Sequence, residues 1–297
     1  SENSGEVTAA NGEAGGICWE NSGTVTGCRT LGGTLSGQGA LGGIAAANYG
    51  RIEDSSLLSK AELAIMGGQP ENYIGGIAGR NTGVIVTSKV GSKTAPVRLS
   101  SDEDNSNVGG VAGYNGPEGR VDGMKAPETV CYADIILEGK AQGNLGGIAG
   151  VNEGTISYYG AAGRIQGSQA QGQPYGIGGI AGVNGNGTNT AVIRNCTYQG
   201  ESLKGGKGSI HGNGISTTSE DLARVGGITG QNLLGGEIRQ CTIGGGSSIT
   251  GSLSYLGGLA GYNQGLIQDC IEQTESVVVQ GIKSSCVGGA VGYNGDD

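Results

Sequence analysis

The chain has 297 residues, of which 66 are Gly and 5 are Pro; apolar residues make up only 35% and Phe is absent. That is too little bulk for an ordinary thick-cored globule of this length, and without a period so much glycine would read as low complexity. A net charge of −9, from 17 basic and 26 acidic side chains, argues against a nucleic-acid backbone or an anionic membrane as partner, and no apolar run approaches the roughly 18 residues of a membrane span.

The glycine is periodic. The chain opens on Asn3-Ser4-Gly5-Glu6-Val7-Thr8, an instance of the phrase Asn-x-Gly-x-(Ile/Val)-x-x-(Cys or a substitute). Next comes an apolar residue, Gly-Gly, an apolar residue, a small residue, usually Gly, any residue, then Asn. Degraded copies of this phrase occupy residues 15–21 and 42–48, and fuller copies follow at 75–81, 109–115, 146–152, 178–184, 226–232, 257–263 and 288–294. A third phrase, apolar-x-Gly, precedes the next Gly-Gly, as in Leu35-Ser36-Gly37, Leu137-Glu138-Gly139, Ile165-Gln166-Gly167, Ile249-Thr250-Gly251 and Val279-Gln280-Gly281. The Asn positions, from Asn3 through Asn21, Asn48, Asn81, Asn115, Asn152, Asn184, Asn232 and Asn263 to Asn294, have a mean spacing near 32 residues.

Six or more Gly per unit exclude a helical repeat, because each costs about 1 kcal/mol in a helix interior relative to Ala. The Leu-x-x-Leu-x-Leu framework of leucine-rich repeats and the nonapeptide calcium repeat are both missing. Short Val/Ile/Thr runs bounded by Gly and Asn read as strands and corners. The predicted fold is therefore all-β, a right-handed parallel β-solenoid (β-helix) of about nine coils with three short strands per coil. Handedness follows the preference of parallel crossovers. Coils stacking at about 4.8 Å make a rod on the order of 45 Å long, forming a single domain over residues 1–297.

Each column of a solenoid repeats one residue type up the stack. Gly-Gly is expected to form a corner with positive φ and close backbone approach. The Asn column suits a corner as well, through tolerance of the left-handed region and amide bonds to the copies above and below; the competing reading is an array of amides for a sugar. Ile44, Ile77, Val111, Ile148, Ile180 and Leu259 are predicted to point inward. Seven Cys leave at least one unpaired. Cys28, Cys196, Cys241 and Cys270 share the closing position of the Asn phrase, held elsewhere by Ala10, Ser55, Ser88, Met124 or Tyr159. Cys196, Cys241 and Cys270 should stack inward as buried thiols, the alternative being one bridge.

Sites for chemistry are sparse. His211 is the only His; it reads as a solvated outward residue, with a general base as the other reading. Without C-x-x-C, and with one His, a zinc site is not expected. Residues 200–207 fall one residue out of phosphate-loop register. Asp102-Glu103-Asp104 reads as a solvated loop, against paired catalytic carboxylates. Tyr114, Tyr262 and Tyr293 precede the Asn and would stack on sugars if exposed, but Arg80, Val151, Val183 and Gln231 share that column. Insertions at 69–73, 101–107, 168–176, 185–192 and 213–224 leave mostly from the corner before Gly-Gly, and insertions on one edge of a repeat protein often form its contact surface.

The phrase Gly-Gly-Ile-Ala-Gly-x-Asn-x-Gly-x-Ile-x-x-Cys resembles the GLUG motif, a repeat of large bacterial surface proteins that include adhesin-like proteins and the amino-terminal regions of immunoglobulin A1-cleaving zinc metallopeptidases. Residues 256–270 and 145–159 match it nearly throughout, and nine copies cover essentially the whole chain. Residues 15–28 depart, with Cys18 and Trp19 where the small pair belongs, as does Ala46 in place of the third Gly. The resemblance implies an extracellular, secreted or surface-attached module that presents corner loops to a host protein or glycan. It carries over no peptidase activity, since His-Glu-x-x-His is absent. The expectation is a non-catalytic module with no cofactor, no metal and no identified binding residues. It would not insert into membranes, and would be a monomer or make end-to-end contacts through uncapped termini of an excised fragment. A carbohydrate-active β-solenoid enzyme, a polysaccharide lyase or glycoside hydrolase, is the alternative.

Overall fold

The computed structural model describes residues 1–65, 71–124, 129–139, 141–168, 175–199, 208–215, 222–272 and 277–295. Among these the chain is all β. Parallel strands stack coil upon coil into sheets of 15, 9, 9 and 8 strands, the parallel β-solenoid of about nine coils that the repeats predict. Each coil feeds four sheets rather than three, because the Gly-Gly corner cuts its phrase in two: Asn72–Gly75 belongs to one sheet and Ala78–Asn81 to the next. Val84–Val86 lies in the third and Val97–Ser101 in the fourth.

The core is narrow, filled by columns of mostly branched side chains, with a second column from the 15-stranded sheet that includes fully buried Tyr198 and Ile243. Ile74, Val108 and Leu145 come from the strand before Gly-Gly, and Ile77, Val111 and Ile148 from just after it. Ile85, Val121 and Ile156 come from the third sheet, and Leu99, Ile135 and Ile165 from the fourth. Full burial of such a side chain contributes about 1.5–3 kcal/mol, so regular columns substitute for the missing aromatic bulk.

The Gly-Gly corner works by close approach, and the expected positive φ is absent there. A Cβ on Gly42 would sit 1.7 Å from the Ala45 carbonyl oxygen, and one on Gly43 2.1 Å from the Gly76 carbonyl oxygen of the next coil. The first glycine lets the chain fold tightly on itself, and the second lets coils stack. The third glycine does a related job: a Cβ on Gly113 would meet the Ile74 backbone nitrogen at 2.6 Å, so the two sheets flanking the corner meet backbone to backbone.

The Asn column likewise does not use the left-handed region. Left-handed backbone falls instead just before the closing position, at Asp54, Thr87, Tyr158, Asn195, Gln240 and Asp269, with φ between 48° and 55°. The amide half of the expectation holds. From Asn21 to Asn263 every ladder Asn Nδ2 donates to the Oδ1 of the Asn one coil on, ending at Asn294, in eight successive bonds of 2.6–2.8 Å. Asn48 through Asn263 are buried, which removes them as sugar ligands.

Register corrects four placements. Glu2–Asn3 pairs with Arg29 and Thr30, and Val7 with Leu35, so Asn3 is outside the Asn column and Ser1, not Ala10, stands opposite Cys28. Asn3 Nδ2 donates to the Gly16 carbonyl at 2.8 Å, the bond that the Thr30 hydroxyl makes to Gly43 one coil later. Met124 is 52% exposed with φ 59°, and the closing slot is taken by buried Thr129, paired with Tyr159. In the third phrase Ile135, not Leu137, pairs with Leu99 and Ile165. Insertions and short first-coil strands shift the phase that spacing alone suggests.

Candidate functional site

Where the strand before Gly-Gly meets the strand after it, two outward columns face each other across the elbow. One runs through Tyr73, Asn107 and Asn144, the other through Arg80, Tyr114 and Val151. Alternation fixes their direction: Ile74, Val108 and Leu145 point inward, so their predecessors point out. The columns wall a cleft of about 510 Å³, whose rim is completed by Glu71, Asn105, Glu153 and Tyr175. That volume falls within the roughly 300–1,000 Å³ of small-ligand pockets.

The cleft is aromatic and polar at once. The Tyr73 and Tyr114 rings lie 5.6 Å apart, tilted by 49°. The Tyr114 hydroxyl donates to Glu153 Oε2 at 2.7 Å, and the Tyr73 hydroxyl donates to Glu71. Burial, then the adjoining carboxylate, pushes both phenols well above their ordinary range, so they stay neutral donors. The Arg80 guanidinium sits 6.0 Å from the Tyr73 ring centroid and is paired with Glu13. Asn144 Nδ2 donates to Asn107 Oδ1 at 2.7 Å, while Asn144 Oδ1 accepts from the Gly176 N–H at 2.9 Å. The Tyr175 hydroxyl donates to Asn105. A ligand would meet two ring faces and a fixed set of amide and carboxylate groups.

Three of the predicted insertions meet here. Glu71 and Tyr73 belong to the first, Asn105 and Asn107 to the second, and Tyr175 to the third. Residues 69–70 and 169–174 of these insertions lie outside the described residues, as do 216–221 of the last insertion and the phosphate-loop-like residues 200–207.

Tyr114 is thus separated from Tyr262 and Tyr293. Those two stack at 5.3 Å, 6° from parallel, with Tyr255 at 5.4 Å from Tyr293, and the Arg224 guanidinium caps buried Tyr262 at 4.0 Å. Tyr73 and Tyr255 were not singled out in the sequence. Their signal is the place two residues before Gly-Gly, which the strand alternation turns outward.

The remaining candidates lie elsewhere. His211 is half-buried rather than solvated. Its Nδ1 is 2.9 Å from Thr250 Oγ1, and its Nε2 is 3.2 Å from Asn213 Nδ2. An amide N–H can only donate, so Nε2 accepts and Nδ1 carries the proton; burial lowers its pKa. Glu138, the carboxylate lining the adjoining 240 Å³ cavity, is held by Arg98. Asp104 Oδ1 accepts from the Gln142 N–H at 2.9 Å, and the Glu103 carbonyl accepts from the Ser106 hydroxyl at 2.7 Å, which makes the acidic run a tied turn between coils. Among the described residues no group of three His, Cys, Asp or Glu is placed to hold a metal ion. Cys196 and Cys241 are buried in register; each thiol donates to the carbonyl two residues earlier, at 3.3 Å. Cys270 continues the column half-buried, and all seven cysteines are free thiols. Comparison of the chain with family models, with curated proteins and with solved structures returns no match.

Proposed function

We propose that the chain is a non-catalytic repeat module of a secreted or cell-surface bacterial protein, a stalk or adhesin segment that meets a host protein or glycan through one edge of the rod. The observation that carries this reading is the convergence of three insertions, from three of four successive coils, on one cleft at Tyr73 and Tyr114. A solenoid frame held by buried amides, with three of its insertions gathered on one edge, is the layout of a contact surface on a rigid spacer. The resemblance of residues 256–270 to the GLUG repeat favours the extracellular setting.

Glu71 and Glu153 favour a second reading, a glycoside hydrolase or lyase, because carboxylates flanking a cleft are what such chemistry needs. Against it, each accepts a phenolic hydrogen bond, and no column along the rod is acidic or basic. Incubation with neutral and acidic polysaccharides is expected to release no products. Turnover that disappears in Glu153→Gln would overturn the non-catalytic reading.

A further inference from the structure

We infer that the cleft bounded by Tyr73, Tyr114, Asn144 and Tyr175 binds a neutral oligosaccharide. The inference rests on the contact-surface reading above and names the ligand class of that surface.

The ring faces come first. Tyr73 and Tyr114 are half-buried, so each offers a fixed apolar face at little entropic cost. A pyranose presents one face of C–H groups and a rim of hydroxyls, and needs an apolar plane beside polar partners. Here the partners are already oriented. Asn107, Asn144 and the Gly176 N–H form a fixed chain of amides, and Glu153 is held by the Tyr114 hydroxyl while keeping free lone pairs for a sugar hydroxyl. A site whose polar groups are locked before binding loses less on ordering its ligand.

Charge sets the class. Of the charged side chains lining the cleft, Glu71 and Glu153 outweigh Arg80, which Glu13 already neutralises, and the chain as a whole carries −9. A uronate or sulfated sugar would bring its anion to two carboxylates, so the fit is to an uncharged glycan. An extended peptide is a poorer match, because the strands flanking the elbow are paired on both sides by neighbouring coils and offer it no backbone edge. The cluster at Tyr262 is less suited, since Arg224 already covers that ring.

The test is isothermal titration of the whole chain with cellohexaose, maltohexaose and a β-1,4-linked galactohexaose, with hexagalacturonate as the anionic comparison. At least one neutral probe is expected to bind with a Kd below about 1 mM, and hexagalacturonate at least about tenfold more weakly. Tyr73→Ala and Tyr114→Ala should each weaken the neutral probe by about tenfold or more, whereas Tyr293→Ala, outside the cleft, should leave it unchanged. Val151→Lys fills the cleft without removing a ring and should abolish binding, so the test does not depend on the alanine variants folding. Absence of binding by every neutral probe up to about 5 mM, tighter binding of hexagalacturonate, or binding unchanged by Val151→Lys overturns the inference. Failure of the neutral probes leaves the non-catalytic reading standing. Cleavage of a bound probe removes that reading and keeps this one.

Discussion

Asn152 Nδ2 donates to Asn184 Oδ1 one coil away at 2.8 Å, and both side chains are fully buried. Asn152 also accepts from Asn115 at 2.7 Å and gives its second N–H to the Gly154 carbonyl at 3.2 Å. Asn152→Ala therefore strands a donor on one neighbour and an acceptor on the other. Leaving a buried polar group unsatisfied costs about 1–3 kcal/mol, so a loss of about 2–4 kcal/mol is expected in urea unfolding. Asn294, exposed at the end of the ladder, gives a control: Asn294→Ala should change stability by less than about 0.5 kcal/mol. Equal losses at the two sites would show that the ladder does not carry stability.

Glycine at the second position of the corner is required by stacking. A Cβ on Gly147 would lie 2.2 Å from the Gly179 carbonyl oxygen and 2.7 Å from the Ala161 Cβ. Gly147→Ala is expected to destabilise by about 3 kcal/mol or more, at or above the usual range for overpacking. Gly23→Ala, where nothing lies within 4 Å, should be neutral or slightly stabilising. Similar melting temperatures for the two variants would refute the close-approach account.

Glu272 occupies the column that Tyr198 and Ile243 fill in the preceding coils. Its Oε1 is buried without a hydrogen-bond partner, and burial raises its carboxyl above 4.5. The folded state therefore holds the proton more tightly than the unfolded chain. Stability should fall as pH rises from about 4.5 through the raised folded value, and recover on acidification. Glu272→Ile should remove that segment of the pH profile and stabilise at neutral pH by about 1 kcal/mol. A wild-type profile that rises across the same window would have the wrong sign.

Thiol labelling separates the cysteines by depth. Cys286 is exposed, whereas Cys131, Cys196 and Cys241 are buried, and burial pushes the Cys131 thiol far above its ordinary range. In native buffer a maleimide should modify Cys286 first and leave the three buried thiols intact until denaturant is added, since only an accessible thiolate reacts. Labelling of Cys196 and Cys241 as fast as Cys286 would rule out the inward stack.

The frame was legible because a solenoid writes the same environment once per coil. Ile77, Val111 and Ile148 can be aligned by eye, and the Asn ladder follows from one amide meeting its copy. Phase was harder where the repeat is interrupted. Asn3 mimics the start of a unit but pairs with Thr30, and the chain after Met124 runs on to Thr129 before closing its coil. Glycine tolerates positive φ, which is what Gly-Gly suggests in a sequence, yet close approach demands glycine just as strictly and leaves the same residue there. The cleft was least legible. Tyr73 and Tyr114 stand in different phrases of different coils, and only the folding of the elbow brings their rings to 5.6 Å.

The ladder also gives the rod an inherent direction. All eight amide bonds donate toward the carboxy-terminal coils, so their dipoles add along the axis and polarise one another. One end of this internal line is rich in acceptors and the other in donors. Coils can be added in register only head to tail, because a head-to-head junction would set N–H against N–H. An asparagine chosen for packing inside a coil thereby dictates the orientation of every coil beside it.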